Sequence, residues 1–282
     1  MKILVTGATG GVGRLVVDEL LARGATDVRA LTVDPVRAAL PPQVEAVRGY
    51  LGRPGTLPAA LAGVDRMYLA PFLESSVRSG AVVGRSEGET NAEVCRLAAA
   101  AGVRRIVDLA GAKGEHWQVI EDGVEACGVP FVHLEPGEFM ANAGIWSAQI
   151  AAGDVVRDGY GDAANAPIAI EDIAAVAAHC LLEDGHEARS YELTGPESLT
   201  RRTRVEQIGQ ALGRRLTYVD LPHDEFVAQL SEAMGEYAAW YADGMRELAE
   251  HPQAAVPTVA ELTGRPATTF AAWARAHAGM FR

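Results

Sequence analysis

Seven residues near the amino terminus, Gly7-Ala8-Thr9-Gly10-Gly11-Val12-Gly13, constrain this chain more than any others. They follow an apolar run, Ile3-Leu4-Val5, that reads as a buried strand, and they lead into an amphipathic helix. That helix carries Leu15, Val16, Leu20 and Leu21 on one side and Arg14, Asp18 and Glu19 on the other. Strand, glycine turn and helix in immediate succession make the phosphate-gripping unit of dinucleotide-binding folds. Gly7 permits the tight turn, Gly10 lets a pyrophosphate approach the backbone, and Gly13 lets the helix pack closely on the sheet. The free N–H groups and positive dipole end of the helix then face the anion. The competing reading is a glycine turn that has kept its shape and lost its ligand.

The rest of the first half alternates. Strands are expected at 28–33, 44–47, 65–70, 105–110 and 130–134, with helices at 57–61, 89–101 and 117–127. Such alternation demands a parallel sheet covered on both faces. The fold class is therefore α/β, a Rossmann-type doubly wound parallel sheet. After Pro136 the pattern changes to loop then helix over 137–150, a short strand at 167–170 and a helix over 173–182. Asp172, in the first turn of that last helix, reads as a helix-start device before a catalytic acid. A strand at 190–194 returns to the sheet, and helices follow at 202–212, 223–233, 236–249, 259–263 and 268–278. The expected division is a dinucleotide-binding core over 1–135 and a smaller, mostly helical substrate lobe over 136–282, interleaved through the strand near 190–194.

Composition excludes several partners. A formal net charge of −12 argues against nucleic acid and anionic membrane surfaces, and no apolar run reaches membrane-spanning length. The chain opens directly on its first strand, so a cytoplasmic location is expected. Cys95, Cys127 and Cys180 show no metal-like spacing and read as buried thiols of a reducing compartment, and no metal site is expected. Lys2 and Lys113 are the only lysines.

Beyond the glycine loop, further stretches carry a resemblance: Ala60-Leu61-Ala62-Gly63-Val64-Asp65, Ala101-Gly102-Val103-Arg104-Arg105-Ile106-Val107, Pro136-Gly137-Glu138-Phe139-Met140-Ala141-Asn142, Asp172-Ile173-Ala174 and Leu193-Thr194-Gly195-Pro196-Glu197. With them the chain resembles the NmrA-like branch of the atypical short-chain dehydrogenases/reductases, which includes NAD(P)H-dependent quinone and azo reductases and redox-sensing regulators. The resemblance implies NADP or NAD as cofactor. It implies a cofactor site made by Gly7, Thr9, Gly10, Gly11, Val12, Gly13, Val33, Asp34, Tyr50, Leu51, Ala70, Pro71, Phe72, Asn91 and Ala110. It places the substrate where strands four to six end, beside Trp117, Glu138, Phe139, Asn142 and Trp146, with the aromatic rings as walls for a flat, aromatic small molecule.

Four positions depart from the family pattern. Val33 stands where relatives carry an arginine for the NADP phosphate, and Tyr50 where they carry aspartate near the adenine. Leu134-Glu135-Pro136 replaces Leu-Arg-Pro, and Ala110-Gly111 replaces serines. Asp34, just after Val33, is either a ribose ligand or a turn residue before Pro35. No tyrosine has a lysine four residues on, so the tyrosinate proton relay of ordinary short-chain dehydrogenases is missing. Hydride transfer to a quinone, flavin or activated double bond needs little acid help and stays open.

Two groups remain as acid–base candidates. Glu135, ending a strand beside apolar walls, is either raised in pKa by desolvation and suited to proton transfer, or ion-paired with an arginine and structural. His133 lies two residues earlier on the same face. His116 is either an acid–base imidazole or an exposed, helix-capping one. The leading function is an NAD(P)H-dependent reductase of a quinone, ketone or enone. Redox-neutral chemistry (dehydration, cyclisation, ring opening) with Glu135 and His116 as acid and base is the alternative, and a nucleotide-sensing regulator comes third. Apolar residues exposed on the helical tail leave room for a homodimer.

Overall fold

The computed structural model describes residues 1–73, 87–111 and 118–282. They form two compact units, one of Met1–Pro136 with Ile170–Leu193, the other of Gly137–Ala169 with Thr194–Arg282. The first unit contains β1 (Ile3–Val5), α1 (Gly11–Ala22), β2 (Val28–Thr32), β3 (Glu45–Arg48), α2 (Pro58–Leu61), β4 (Arg66–Leu69), α3 (Glu87–Ala100), β5 (Arg105–Leu109), α4 (Gln118–Ala126) and β6 (Phe131–Pro136). The second contributes α5 (Ser147–Ala152), β7 (Val155–Gly159) and β8 (Ala164–Asn165) before the chain returns to the first with α6 (Ile170–Leu182) and β9 (Arg189–Leu193). It is completed by β10 (Leu199–Thr200), α7 (Arg201–Leu212), β11 (Thr217–Leu221), α8 (His223–Met234), α9 (Ala238–Glu250), α10 (Thr258–Thr263) and α11 (Phe270–Ala276).

Seven parallel strands make the sheet of the first unit, in the order β3-β2-β1-β4-β5-β6-β9. The chain winds outward from β1 to β3, then crosses back so that β4 lies on the other side of β1. That reversal opens a crevice above the carboxyl ends of β1 and β4, where open α/β sheets bind ligands. One face of the sheet buries Leu4, Leu31, Met67, Leu69 and Ile106 against Leu57, Leu61, Val94, Ala98 and Val124 of the helices above it. On the other, α6 packs on α1 and on β4, β5 and β6. The buried alanines of α6 (Ala174, Ala175, Ala177, Ala178) let it come close.

Arginines anchor these helices. Arg29 of β2 is buried and donates to the carbonyls of Ala59, Ala60 and Ala62 at the end of α2, and to Glu45. Arg105 and Arg66 reach the last carbonyls of α6 at Cys180 (3.0 Å) and Leu181 (2.9 Å), and both pair with Asp184. Cationic groups there complement the negative end of the helix dipole.

The second unit departs from the sequence expectation. It contains a parallel pair, β7 with β11, and a short antiparallel pair, β8 with β10, where only helices and one strand are expected. Residues 167–170 are not a strand: Ile168 makes a single bridge to Phe139, and α6 already begins at Ile170. The first unit also takes the whole of α6, so the chain re-enters it at Ile170, ahead of the strand expected at 190–194. Arg201 is buried at the centre of the second unit, ion-paired with Asp158 and stacked near Trp146, Phe226 and Tyr241. Asp158 also accepts the Trp146 indole N–H. Removing one partner of such a buried pair strands the other charge, at a cost of about 3–5 kcal/mol. Asp158→Ala is expected to lower urea-unfolding stability by that order, and Asp158→Ala with Arg201→Met to recover part of it.

Candidate functional site

The crevice is built by the glycine turn. Gly7 has φ +60° and hydrogen-bonds Gly10 N–H through its carbonyl at 2.8 Å, closing the turn directly after β1. A Cβ on Gly13 would lie 2.2 Å from that same carbonyl oxygen, so only glycine lets the first turn of α1 rest on the strand exit. No side chain caps α1 and no acidic residue stands in its first turn. Its leading N–H groups therefore remain available to an anion. Thr6 Oγ1 receives the Ala70 N–H at 2.9 Å, tying the exits of β1 and β4 together.

A groove of about 360 Å³ runs over this turn. Gly7, Thr9, Gly10, Gly11, Val12, Gly13, Val33, Tyr50, Leu51, Ala70, Pro71 and Phe72, all expected from the sequence, line it together with Leu31, Thr32, Gly49 and Leu109, which sequence reasoning missed. Those four sit at the last positions of β2 and β5 or just after β3, and become wall only once strand order is known. Tyr50 packs edge-on against Phe72, ring centres 5.9 Å apart, forming an aromatic corner near the end of β3.

Other expected ligands are placed differently. Asn91 is buried, and its amide is spent on the Phe72 N–H (2.8 Å) and on the carbonyls of Phe72 and Glu87 (both 2.9 Å). It holds the backbone of Phe72, a residue of the groove lining. Ala110 is buried, with its N–H given to Leu134, and the groove is lined by Leu109 instead. Asp34 makes a turn: its carboxylate accepts the N–H groups of Val36 and Arg37, while Val33 is 63% exposed.

At the far end of the sheet lies an acidic cluster. Asp108 and His133, partners in register on β5 and β6, are fully buried and joined Oδ1 to Nδ1 at 2.8 Å. Glu121 of α4, also buried, accepts the Gly111 N–H at 3.3 Å just beyond β5. Burial raises the Asp108 carboxyl, offset only in part by His133. Burial likewise raises Glu121 against the pull of the Gly111 N–H. Burial alone would depress the His133 imidazole, but Asp108, Glu121 and Glu125 outweigh it and hold it above its ordinary value. Glu135 is half-buried at the end of β6, with Oε1 enclosed and lacking a hydrogen-bond partner. Its charge is felt by Asp108 and Glu121, and among the described residues no arginine pairs with it.

The remaining candidates fall in the second unit or outside the described residues. Glu138 is bound by Arg204 at 2.7 Å and by the Asn165 amide at 2.9 Å. Burial pushes its carboxyl up, but Arg204 outweighs burial and holds it low. Trp146 corrects the expectation of a pocket wall: it is buried in the core of the second unit because Asp158 satisfies its indole. Phe139 is half-buried and Asn142 exposed. His116 and Trp117 lie outside the described residues.

Residues 7–184 match the family model described as NAD(P)H-binding. The chain belongs to the NAD(P)H-binding atypical short-chain dehydrogenase/reductase family. It is 36% identical to the (4-alkanoyl-5-oxo-2,5-dihydrofuran-3-yl)methyl phosphate reductase of Streptomyces griseus, with 99% of each chain covered. It is 31% identical to the NAD(P)H azoreductase of Xenophilus azovorans, again covering 99% of each. The NADPH-complexed quinone oxidoreductase of Escherichia coli superposes with a TM-score of 0.83 at 25% identity, covering 98% of this chain and 99% of that one. This family member is an NAD(P)H-dependent oxidoreductase, and the groove over the glycine turn fits its cofactor.

Two outcomes follow from this geometry. Gly13→Ala must push α1 off the Gly7 carbonyl, and is expected to weaken NADPH binding by at least about tenfold in a thermal-shift titration. The second concerns pH. Because His133 is held above 6.5 and Asp108 above 3.8, the folded state keeps protons that the unfolded chain has released. The His133 contribution is complete below about pH 6.5 and is lost as pH rises through the folded imidazole value. The gap in urea midpoint between the parent chain and His133→Gln should be widest near pH 6 and narrow towards about pH 9.

Proposed function

We propose that the chain reduces a carbon–carbon double bond made electron-poor by flanking carbonyl groups, the class that joins quinones to acyl-furanones, with NADPH as donor. The observation that carries this reading is the full-length 36% identity to a reductase whose named substrate is such a double bond. In that substrate the ring carbon next to the phosphomethyl-bearing one carries both a lactone and an acyl carbonyl. Hydride added at the phosphomethyl-bearing carbon leaves negative charge spread over two carbonyl oxygens. Such an anion needs no strong acid to form.

That chemistry suits the residues present. No tyrosine–lysine pair exists, and Lys2 is engaged with Glu45 and Asp27 near the start of β1. The reduced nicotinamide supplies the hydride. The α1 N-terminus holds the pyrophosphate, and Tyr50 and Phe72 form an apolar corner for the adenine. Asp34 is already held by its own turn and by Arg37 at 3.7 Å, so it offers little repulsion to a 2′-phosphate. Glu135, with one oxygen enclosed beside Asp108 and Glu121, is the group we assign to holding the proton that the product takes up. The Glu138–Arg204–Asn165 network keeps the Pro136–Asn142 segment in shape.

The test is a direct one. Purified protein is titrated with NADPH and NADH, then assayed with a menadione-type quinone, an acyl-butenolide and an isolated ketone. Micromolar NADPH binding is expected, with turnover of the quinone and the butenolide and none of the simple ketone. Turnover of the ketone, or absence of NADPH binding at millimolar concentration, would sink the proposal. Glu135→Gln should lower kcat by about tenfold to a hundredfold, in the range of general acid–base effects, while leaving the KM for NADPH unchanged.

A further inference from the structure

A thiol pair lies outside the cofactor groove. Helices α3 and α4 run side by side on one face of the sheet, and their contacts advance together by one turn. Gly88 of α3 faces Val119 of α4, where a Cβ would come 2.5 Å from Val119 Cγ2. One turn on, Gly123 of α4 faces Ala92 of α3, where a Cβ would lie 3.2 Å from Ala92 Cα. The next turn of each helix brings Cys95 opposite Cys127. The two thiols are close enough that each shifts the ionisation of the other, and the Cys127 thiol donates to the Val124 carbonyl at 3.0 Å. Cys95 is fully buried in the apolar cluster of this face, and Cys127 packs against that cluster from a half-buried position.

The environments of the two sulfurs differ in a way that assigns roles. Cys127, the first residue beyond α4, is half-buried where Cys95 is fully buried, so an oxidant reaches its sulfur first, and the neighbouring Cys95 thiol and Val129 N–H favour its ionised form. Those neighbours, Cys95 foremost, draw its thiol below the ordinary value. The neighbouring Cys127 and burial push Cys95 up. A partly accessible, acidic thiol beside a protonated one is the arrangement of a peroxide-reactive cysteine with its resolving partner. The backbone there is also soft. The final N–H bonds of α4, Cys127 to Val124 and Gly128 to Glu125, are both 3.4 Å long, and Gly128 follows at φ +76°. Closing a disulfide of roughly 2.05 Å draws on this loosely bonded helix end.

We propose that Cys127 and Cys95 form a reversible, peroxide-driven disulfide that staples α3 to the end of α4. Cys127 sulfur attacks one oxygen of a hydroperoxide, the O–O bond breaks, and the other oxygen leaves as hydroxide or alkoxide. Cys95 sulfur then attacks the resulting sulfenic acid, forming the S–S bond and releasing water. Two thiols lose two hydrogens and two electrons, and one hydroperoxide becomes water and an alcohol, or two waters when the oxidant is hydrogen peroxide. A dithiol reductant reverses the reaction. This inference goes beyond the reductase reading and does not depend on it.

Cys180 supplies an internal control. It is buried in α6, its thiol is pushed up to about 12 by burial, and it belongs to neither helix of the pair. Native protein is treated with a few equivalents of hydrogen peroxide, alkylated, unfolded, alkylated again with a second reagent, and mapped by mass spectrometry. The expected result is a linked Cys95–Cys127 peptide two hydrogens lighter than its parts, restored by dithiothreitol, with Cys180 reduced throughout. Cys95→Ala should leave Cys127 trapped as a dimedone adduct. Cys127→Ser, at the half-buried helix end, should protect Cys95 from oxidation altogether. Full recovery of free Cys95 and Cys127 under peroxide that oxidises exposed methionines would overturn the proposal. So would oxidation of Cys180 at the same rate as Cys127, or oxidation of Cys95 in Cys127→Ser.

Discussion

The contact between Gly13 and the carbonyl of Gly7 sets the geometry on which the rest of the first unit depends. With no Cβ at 13, helix α1 starts at the point where β1 ends, and its leading N–H groups stand over the crest of the sheet. Gly7 approaches Ala70 in the same way, a Cβ there lying 2.9 Å from the Ala70 Cβ, so the exits of β1 and β4 are drawn together at the topological reversal. The anion site is thus a consequence of backbone packing, not of charged side chains. This explains how an acidic chain with two lysines can hold a dinucleotide: the attraction is supplied by peptide dipoles at short range.

Arginine performs the work elsewhere done by a mixture of cations. Arg29, Arg105, Arg201 and Arg204 are all buried, and each joins segments distant in sequence. A planar guanidinium can satisfy several carbonyl or carboxylate oxygens at once, which an ammonium group cannot do in fixed directions. Arg29 and Arg105 fasten helix ends to strands, so the sheet and its covering helices are locked by directional bonds as well as by apolar burial. Arg201 and Arg204 serve the second unit, where β7, β8 and the first turn of α7 converge on them. Glu138 and Trp146, attractive as ligand contacts in the sequence, are drawn into these networks.

The legibility of the sequence follows the same physics. Parallel strands buried on both faces are apolar runs, so Ile3–Val5, Val28–Thr32 and Arg66–Leu69 stand out, and glycine φ and spacing mark the turn between them. The pair β7 and β11 is obscured because Arg157, Asp158, Asp220 and Thr217 interrupt its apolar positions, their partners being residues far along the chain. The groove lining was largely readable because it follows strand ends. The role of Asn91 was not, since only the folded backbone shows its amide closing on Phe72. His133 was placed on the face of Glu135 by alternation, but its true partner, Asp108, becomes visible only through the β5–β6 register.

That register also bears on what kind of acceptor the site can serve. Where the family pattern offers arginine and serines at the ends of β6 and β5, this chain presents Glu135, Ala110 and Gly111. The Gly111 N–H is already given to Glu121, and the Ala110 N–H to Leu134. Neither amide is left to stabilise an oxyanion on a bound acceptor. The neighbouring carboxylates would oppose localised negative charge, an opposition that burial lessens by raising the Asp108 and Glu121 carboxyls. An alkoxide developing on a simple ketone would therefore find neither of these two amides free to receive it. An enolate whose charge is shared between two carbonyls carries its own stabilisation and meets far less of that opposition at any one atom. The proposed acceptor, a doubly activated double bond, thus brings the charge stabilisation that the engaged amides at 110 and 111 do not offer.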